Sequence, residues 1–331
     1  MDIKKKEQLE KLWQELLKQD PSNDQLCRII RNVKELRQKA WERLLEQGPN
    51  ESDLLYIMAN VEELRDQAWQ VFLKQSPSKQ QLRWVVENIP SLRDRAWPMF
   101  LLYGPNGEDL CSIARYVGPL RDQVWQMILN GGDWDLCNDM EGNLLYLIRY
   151  VEELRDRAWQ ELLKRGMSDE SLRVLISEVN PLKETAARML IGRSPTRENF
   201  CHVINRVDSL KAEAGKMFLG LGSELTNKDL CFIIVNVEEL SDLAWTELYL
   251  KRSFDNRGPT KEDLCFIIMH SKKLRNEAAQ LLLGKNPNNN ELECIIKYAP
   301  AFREEAGALL GKGAKEIIEE ILQIAGEEQQ S

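Results

Sequence analysis

The chain has 331 residues, of which 30% are charged, and its formal net charge of -8 offers no positive field for a phosphate backbone. Nucleic acid is therefore not an expected partner. No apolar run reaches the length of about 18 residues that a membrane helix needs, and the start "MDIKKKEQLEKLW" has no apolar core behind its charges. The composition predicts a cytoplasmic protein without membrane insertion, whose seven cysteines, lacking any C-x-x-C pair, are reduced thiols.

The chain repeats one phrase, which reads "VEELRDQAWQVFLK" from Val61 and "VEELRDRAWQELLK" from Val151. The position of its Trp recurs at steps of 28 residues, lengthened at three places to 34, 30 and 34. Its successive occupants are Trp13, Trp41, Trp69, Trp97, Trp125, Trp159, Ala187, Gly215, Trp245, Ala279 and Gly307. A fixed period of this size is typical of stacked-repeat proteins.

Each repeated unit divides into two helical patterns. In the unit that starts near Glu51, the first pattern has apolar residues at i, i+3, i+4 and i+7, as on one face of a helix, which we call the A helix. These residues are Leu54, Ile57, Met58 and Val61. The second pattern predicts a B helix with a broader apolar arc, formed by Leu64, Ala68, Trp69, Phe72 and Leu73.

Prolines stand at the joints of the units. They precede the A helix in "SPSKQQL", "GPNGEDL" and "GPTKEDL", and others start B helices, where a missing N–H costs little. The second group comprises Pro90, Pro119, Pro181 and Pro300. Pro98 is the exception because it lies inside a B helix, where we expect a kink or a shortened helix.

In chain order, the predicted elements are an N-terminal half-repeat over 1–20, ten A/B pairs over 21–311, and a C-terminal capping helix with a tail over 312–331. The predicted fold is all-α. It is a right-handed α-solenoid of about ten 28-residue two-helix repeats, forming a single domain over 1–331.

Three boundaries between units gain residues, at 131–142, 220–225 and 253–258. Each follows a B helix, so we expect the insertions along one edge of the solenoid, either as part of a binding face or as neutral variation in a tolerant loop. The first insertion holds Trp134, a candidate exposed aromatic, in the segment "GGDWDLCNDMEG". This acidic segment departs from the EF-hand pattern at its Gly and final Glu positions.

In three later units the phrase becomes "LKETAARMLIG", "LRNEAAQLLLG" and "FREEAGALLGKG", where a basic residue is followed three positions on by a small one. With this feature the chain resembles the HEAT-like and armadillo-like α-helical repeat proteins over nearly its whole length, although its Trp and its short unit depart from their longer pattern. The resemblance implies an α-solenoid with structural ladders between Asp and Arg, which binds another protein or a peptide.

One basic position recurs in the B helices. It is occupied by Arg37, Arg65, Arg93, Arg121, Arg155, Lys183, Lys211, Arg275 and Arg303, with Ser241 in the remaining unit. We expect the aliphatic stem to cover the core and the charged end to reach the carbonyls that end the A helix, or an Asp of a neighbouring unit. We predict that the seven tryptophans of the repeat fill the gap between units, next to small alanines, and ligand stacking is the competing hypothesis.

No catalytic or metal-binding motif is recognisable in the sequence. The two histidines, His202 and His270, lie in different units, and neither belongs to an HExxH or H-x-x-C arrangement. A nucleophile elbow, a Walker loop and a dinucleotide-binding glycine motif are also missing. We therefore predict no enzyme, no cofactor and no metal. Two alternatives stay open, a HEAT-like enzyme of the bilin lyase or base glycosylase type and a structural self-assembling protein, as does the oligomeric state.

The outer face of the A helix carries aromatic residues, mostly followed four positions later by an amide, and residues at this spacing share a face. The candidate partner-binding residues are Tyr56, Asn60, Trp84, Asn88, Tyr146, Tyr150, Phe232, Asn236, Phe266 and His270, together with Trp134. Aligned by stacking, they would hold an extended peptide. The competing hypothesis makes the Asn residues left-handed C-terminal caps of the A helices. We predict a non-catalytic protein- or peptide-binding scaffold or adaptor.

Overall fold

The structure is a computed structural model that describes residues 3–130, 140–193, 195–255 and 258–310. These residues form α-helices joined by short turns and 3-10 turns, and they contain no β-strand. The predicted all-α class is therefore confirmed for the described ranges. The predicted capping helix over 312–331 and Trp134 lie outside them.

The helices fall into two compact units, unit 1 (Met1–Gly166) and unit 2 (Met167–Ser331). Unit 1 contains α1 (Ile3–Lys18), α2 (Asn23–Asn32), α3 (Arg37–Gln47), α4 (Glu51–Asn60), α5 (Arg65–Lys74), α6 (Lys79–Asn88), α7 (Arg93–Leu102), α8 (Gly107–Tyr116), α9 (Arg121–Asn130), α10 (Met140–Tyr150) and α11 (Glu152–Arg165). Unit 2 contains α12 (Asp169–Glu178), α13 (Lys183–Gly192), α14 (Arg197–Arg206), α15 (Lys211–Leu219), α16 (Asn227–Asn236), α17 (Ser241–Asp255), α18 (Lys261–His270), α19 (Arg275–Leu283), α20 (Asn289–Tyr298) and α21 (Arg303–Leu309).

The helices pack in adjacent pairs. From α2 onward, each even-numbered A helix packs against the B helix that follows it. A helices also pack on A helices, as α8 does on α10 in unit 1 and α18 on α20 in unit 2. This paired packing is consistent with an α-solenoid, as the period of the sequence predicts.

Most A helices begin at capping boxes. In α4, the Asn50 side chain accepts the Asp53 N–H at 2.9 Å, and the Asp53 carboxylate accepts the Asn50 N–H at 2.9 Å. This exchange satisfies donors that a helix start leaves without partners. The same arrangement starts other A helices, with N-caps Ser22, Ser78, Asn106, Thr226, Thr260 and Asn288.

Most B helices begin one turn later than the prolines suggest. Pro90 lies in the 3-10 turn Pro90–Leu92, and the α-helix proper starts at Arg93. Pro98 lies inside α7 without shortening it, since α7 and α5 are each ten residues long. The expected shortening is wrong because Pro98 and Asp94, whose carbonyl loses its helical N–H partner, are both exposed, and water can bind that carbonyl.

The recurrent arginines join the end of the A helix to the start of the B helix. Arg65 Nε donates to the Met58 carbonyl at 2.8 Å, and Nη1 donates to Ser91 Oγ of the next repeat at 2.9 Å. Six further arginines donate Nε to the carbonyl seven residues earlier, namely Arg37, Arg93, Arg121, Arg155, Arg275 and Arg303. Across units the observed acceptors are Glu or Ser rather than the expected Asp, as in the pair of Arg37 with Glu63.

Most tryptophans of the repeat are core residues. Six are buried, namely Trp13, Trp41, Trp69, Trp97, Trp125 and Trp159, whereas Trp245 is half-buried. Trp41 Nε1 donates to Gln67 Oε1 of the next repeat at 3.0 Å. Arg95 stacks over the Trp69 ring, with Cζ 5.6 Å from the ring centroid. Rings enclosed in this way have little surface left for ligand stacking.

The insertions take different forms where the structure describes them. Residues 220–225 include a 3-10 turn, Gly222–Glu224. Residues 253–255 belong to α17, which is thereby extended to 15 residues, so this insertion is not simply the loop that we expected. No helix in the described ranges is long and apolar enough to span a bilayer.

Candidate interaction surface on the A helices

The asparagines of the candidate site close the last turn of their own helices. Asn60 Nδ2 donates to the Tyr56 carbonyl and Asn88 Nδ2 to the Trp84 carbonyl, both at 2.8 Å. Asn236 does the same to Phe232 at 2.9 Å. One amide N–H of each is therefore engaged inside the helix.

The left-handed cap predicted for these asparagines is wrong. Asn60 is the last residue of α4, and Val61 follows with a φ of -130°. The Val61 N–H donates to the Ile57 carbonyl at 2.9 Å, and Arg65 takes the Met58 carbonyl. The carbonyls at the helix end are thus satisfied without a left-handed residue, and the extended backbone lets the Val61 side chain enter the core.

The aromatic residues of the candidate site differ in exposure. Tyr56, Trp84, Tyr146 and Phe232 are half-buried. Tyr150 is 41% exposed and Phe266 is 37% exposed. The Phe266 and His270 rings, which lie one turn apart on α18, have centroids 4.7 Å apart.

A row of polar contacts, which we did not predict, links adjacent A helices. Arg31 Nη1 donates to the Tyr56 hydroxyl at 3.2 Å, and Arg115 Nη1 donates to the Tyr146 hydroxyl at 3.4 Å. At the same place between α12 and α14, Ser177 Oγ lies 3.2 Å from His202 Nε2. Burial lowers the pKa of His202, which therefore favours the neutral ring. The outer aromatics thus also serve helix-to-helix packing.

A second row lies at the starts of the A helices. The capping-box carboxylate of one helix also accepts from the preceding A helix, as when Asn23 Nδ2 donates to Asp53 Oδ2 at 2.8 Å. Asp109 is 6% exposed and pairs with Lys79 at 2.8 Å and Arg83 at 2.9 Å. Each acid therefore caps its own helix and ties it to a neighbour, and these carboxylates are structural.

Among the described residues of unit 1, the most exposed group of aromatic side chains surrounds an arginine. We call Arg115, Tyr116, Tyr146, Arg149 and Tyr150, on α8 and α10, the Arg-Tyr cluster. Arg115 Cζ lies 4.5 Å from the Tyr150 ring centroid and 5.2 Å from that of Tyr116, and Arg149 Cζ lies 4.9 Å from Tyr150. Tyr116 is 59% exposed. The sequence pattern predicted Tyr146 and Tyr150 as site residues but not Arg115, Tyr116 or Arg149.

Open grooves lie between neighbouring A helices. One of 430 Å³ lies between α2 and α4, lined by Asp24, Cys27, Arg28, Ser52, Asp53 and Tyr56. Burial, followed by the charge of Asp53, raises the pKa of Cys27 to about 12, so that its thiol stays protonated. In the part of the chain that the structure describes, no three His, Cys, Asp or Glu residues converge as metal ligands.

Two thiols meet in unit 2. Cys294 Sγ on α20 lies 3.8 Å from the Cys265 carbonyl oxygen on α18. A hydrogen bond from the Cys265 thiol lowers the pKa of Cys294, and the same bond raises the pKa of Cys265.

Comparisons with protein families, with curated proteins and with solved structures find no match to this chain. Function must therefore be argued from the surface itself.

Proposed function

We propose that this chain is a non-catalytic protein- or peptide-binding scaffold. In this proposal it is a cytoplasmic, right-handed α-solenoid of about ten HEAT-like or armadillo-like two-helix repeats over 1–331, with half a repeat at its start and a capping helix at its end. The buried side chains form the packing of the repeats, and we place the partner on the outer face of the A helices.

The observation that carries the proposal is the exposure of large aromatic and apolar side chains at that face. In unit 1, Tyr116 and Tyr150 are 59% and 41% exposed, and in unit 2 Phe266 and Met269 on α18 are 37% and 36% exposed. Grouped rings of this kind are common anchors of protein interfaces, whereas single scattered apolar residues are ordinary surface.

The test compares capture of partners from a lysate of the source organism by the wild-type chain and by Tyr150→Ala/Phe266→Ala, quantified by mass spectrometry. Tyr150 and Phe266 are preferable to the half-buried Trp84 and Phe232 because their truncation should leave the fold intact. We expect the double variant to lose partners with little change in Tm, at a cost of roughly 1–3 kcal/mol per anchor.

The matched control is Leu102→Ala, which removes a side chain that is 87% exposed at the end of α7, a B helix. Equal losses in both variants, or none in either, would refute the A-helix face as the binding surface. Concentration-dependent self-association of the wild type in analytical ultracentrifugation, without any captured partner, would instead favour the self-assembling alternative.

A further inference from the structure

We propose that the Arg-Tyr cluster binds an acidic side chain within an extended segment of a protein partner, with Arg115 as the residue that pairs with the carboxylate. This inference rests on the proposed binding function and adds the chemistry of the partner. It is carried by the surroundings of Arg115, by its two flanking rings, and by the charges around the cluster.

The surroundings of Arg115 differ from those of many other arginines among the described residues. Arg37, Arg83 and Arg157 each pair with a carboxylate of a neighbouring helix. Among the residues that the structure describes, Arg115 has no such ion pair, and its contacts are the Tyr146 hydroxyl and the rings of Tyr116 and Tyr150. In a chain with 53 acidic residues and 45 basic ones, this arrangement leaves a guanidinium for a carboxylate from elsewhere.

The two rings hold the guanidinium in place. Tyr150 and Tyr116 lie 4.5 and 5.2 Å from Arg115 Cζ, and Nη1 is tied to Tyr146. A guanidinium fixed in this way loses less conformational entropy when it forms a bidentate pair with a carboxylate. The exposed parts of Tyr116 and Tyr150 offer apolar surface to the residues next to the acid.

The charges near the cluster favour a short acidic segment. Arg149 adds a second positive charge beside Tyr150. The nearby acids Glu152 and Glu153 are paired with Arg155 and Arg121. The chain as a whole has a net charge of -8, and this field repels a long polyanion such as nucleic acid more than a short acidic segment.

A matched site exists between α2 and α4. Arg31 donates to the Tyr56 hydroxyl at 3.2 Å, as Arg115 does to Tyr146, and its Cζ lies 5.8 Å from the Tyr56 ring. The positions equivalent to Tyr116 and Tyr150 hold Asn32 and Asn60, so the flanking rings are missing. Substitution of Arg31 therefore removes the same charge from the same helix position, but from a guanidinium that has no pair of flanking rings.

The experiment measures fluorescence anisotropy of a short labelled peptide of alternating Glu and Ser, with Gln–Ser and Lys–Ser peptides of equal length as references. We expect the wild type to bind only the Glu–Ser peptide, and more weakly as salt rises. Arg115→Gln should weaken binding about tenfold, Arg115→Lys less, and Arg31→Gln by less than about twofold. Tyr116→Ala/Tyr150→Ala should also weaken binding, and circular dichroism checks that each variant is folded.

Several outcomes would overturn the inference. Equal losses in Arg115→Gln and Arg31→Gln would show a response to overall charge alone. Equal binding of the Gln–Ser peptide, or no binding of any peptide, would exclude recognition of an acid. Binding only by a variant with Asp133, Asp135 and Asp139 changed to Asn would mean that the acidic segment of the chain itself occupies the cluster.

The two proposals fail separately. If partners captured from the lysate are lost in Tyr150→Ala/Phe266→Ala but retained in Arg115→Gln, the scaffold function stands and acid recognition is wrong. If neither variant changes capture, the binding face itself is wrong.

Discussion

Unit 1 and unit 2 build the same helix pairs with different residues at the repeated B-helix positions. In unit 1, every B helix after α1 has its arginine, and the Trp position always holds a buried Trp. In unit 2 the arginine gives way to Lys183, Lys211 and Ser241 before it returns, and the Trp position holds Ala187, Gly215, half-buried Trp245, Ala279 and Gly307.

The comparison shows that the pairing of helices tolerates changes of size when neighbours change too. A Cβ on Gly215 would lie 2.8 Å from Leu240 Cδ1 and 3.3 Å from both methyls of Val237. The next repeat therefore occupies the space that a Trp side chain fills in the repeats of unit 1. Nearby, Phe200 replaces the usual Leu of the A helix and stacks on Phe218 with centroids 5.1 Å apart. Next to Gly215, the large side chain has therefore shifted from the Trp position to the A-helix position of Phe200.

The largest expected effect comes from emptying the Trp position in unit 1. Trp69 is 1% exposed, and Trp69→Ala leaves a cavity that we expect to lower the free energy of unfolding by about 3–5 kcal/mol. The matched change in unit 2, Trp245→Ala, removes a half-buried ring and should cost about half as much. Urea denaturation monitored by circular dichroism measures both, and equal losses would contradict the contrast between the units.

A smaller effect is expected from filling the Gly215 position. Gly215→Ala improves helix propensity by about 1 kcal/mol but presses a methyl group against Leu240 and Val237, at a cost of about 1–3 kcal/mol, so we expect a net loss of stability. The control is Gly307→Ala in α21, where no atom of the described residues lies within 4 Å of the added Cβ and where stability should rise. Thermal melting measures the shifts in Tm. A rise in Tm for Gly215→Ala would show that the two neighbouring repeats are not in tight contact at Gly215.

Much of the fold could be predicted because it depends on spacing within one helix. The i, i+3, i+4 pattern of Leu54, Ile57 and Met58 places the three on one face wherever the helix lies, and all three are buried. Pro98 leaves the length of α7 unchanged because it lies on the exposed side of the helix. The buried residues Ala96, Trp97 and Phe100 mark the opposite side, so the apolar pattern within the helix already contained this signal.

The surface was harder to predict because its contacts join neighbouring repeats. Arg31 and Tyr56 are 25 residues apart, three fewer than the period, and Arg115 and Tyr146 are 31 apart, three fewer than the lengthened step of 34. The signal was thus present as a fixed offset from the period. Reading each unit by itself could not reveal it, and the asparagine amides looked free for a ligand because their own helix carbonyls were not considered.

The smallest expected effect concerns the reactivity of the thiols rather than stability. In unit 1, Cys27 lies alone beside Asp53, and burial raises its pKa to about 12. In unit 2, the Cys265 thiol donates a hydrogen bond to Cys294 and lowers the pKa of Cys294 below its ordinary value. Because a lowered pKa puts the thiolate at lower pH, iodoacetamide should alkylate Cys294 before Cys27, at a rate that rises through the pH range below the ordinary thiol pKa. Mass spectrometry of peptides after brief alkylation measures both rates.

Cys265→Ala is the control that separates the hydrogen bond from simple exposure, since it removes the donor and should slow alkylation of Cys294. An unchanged rate in Cys265→Ala would mean that exposure alone, and no hydrogen bond between the thiols, distinguishes the two units.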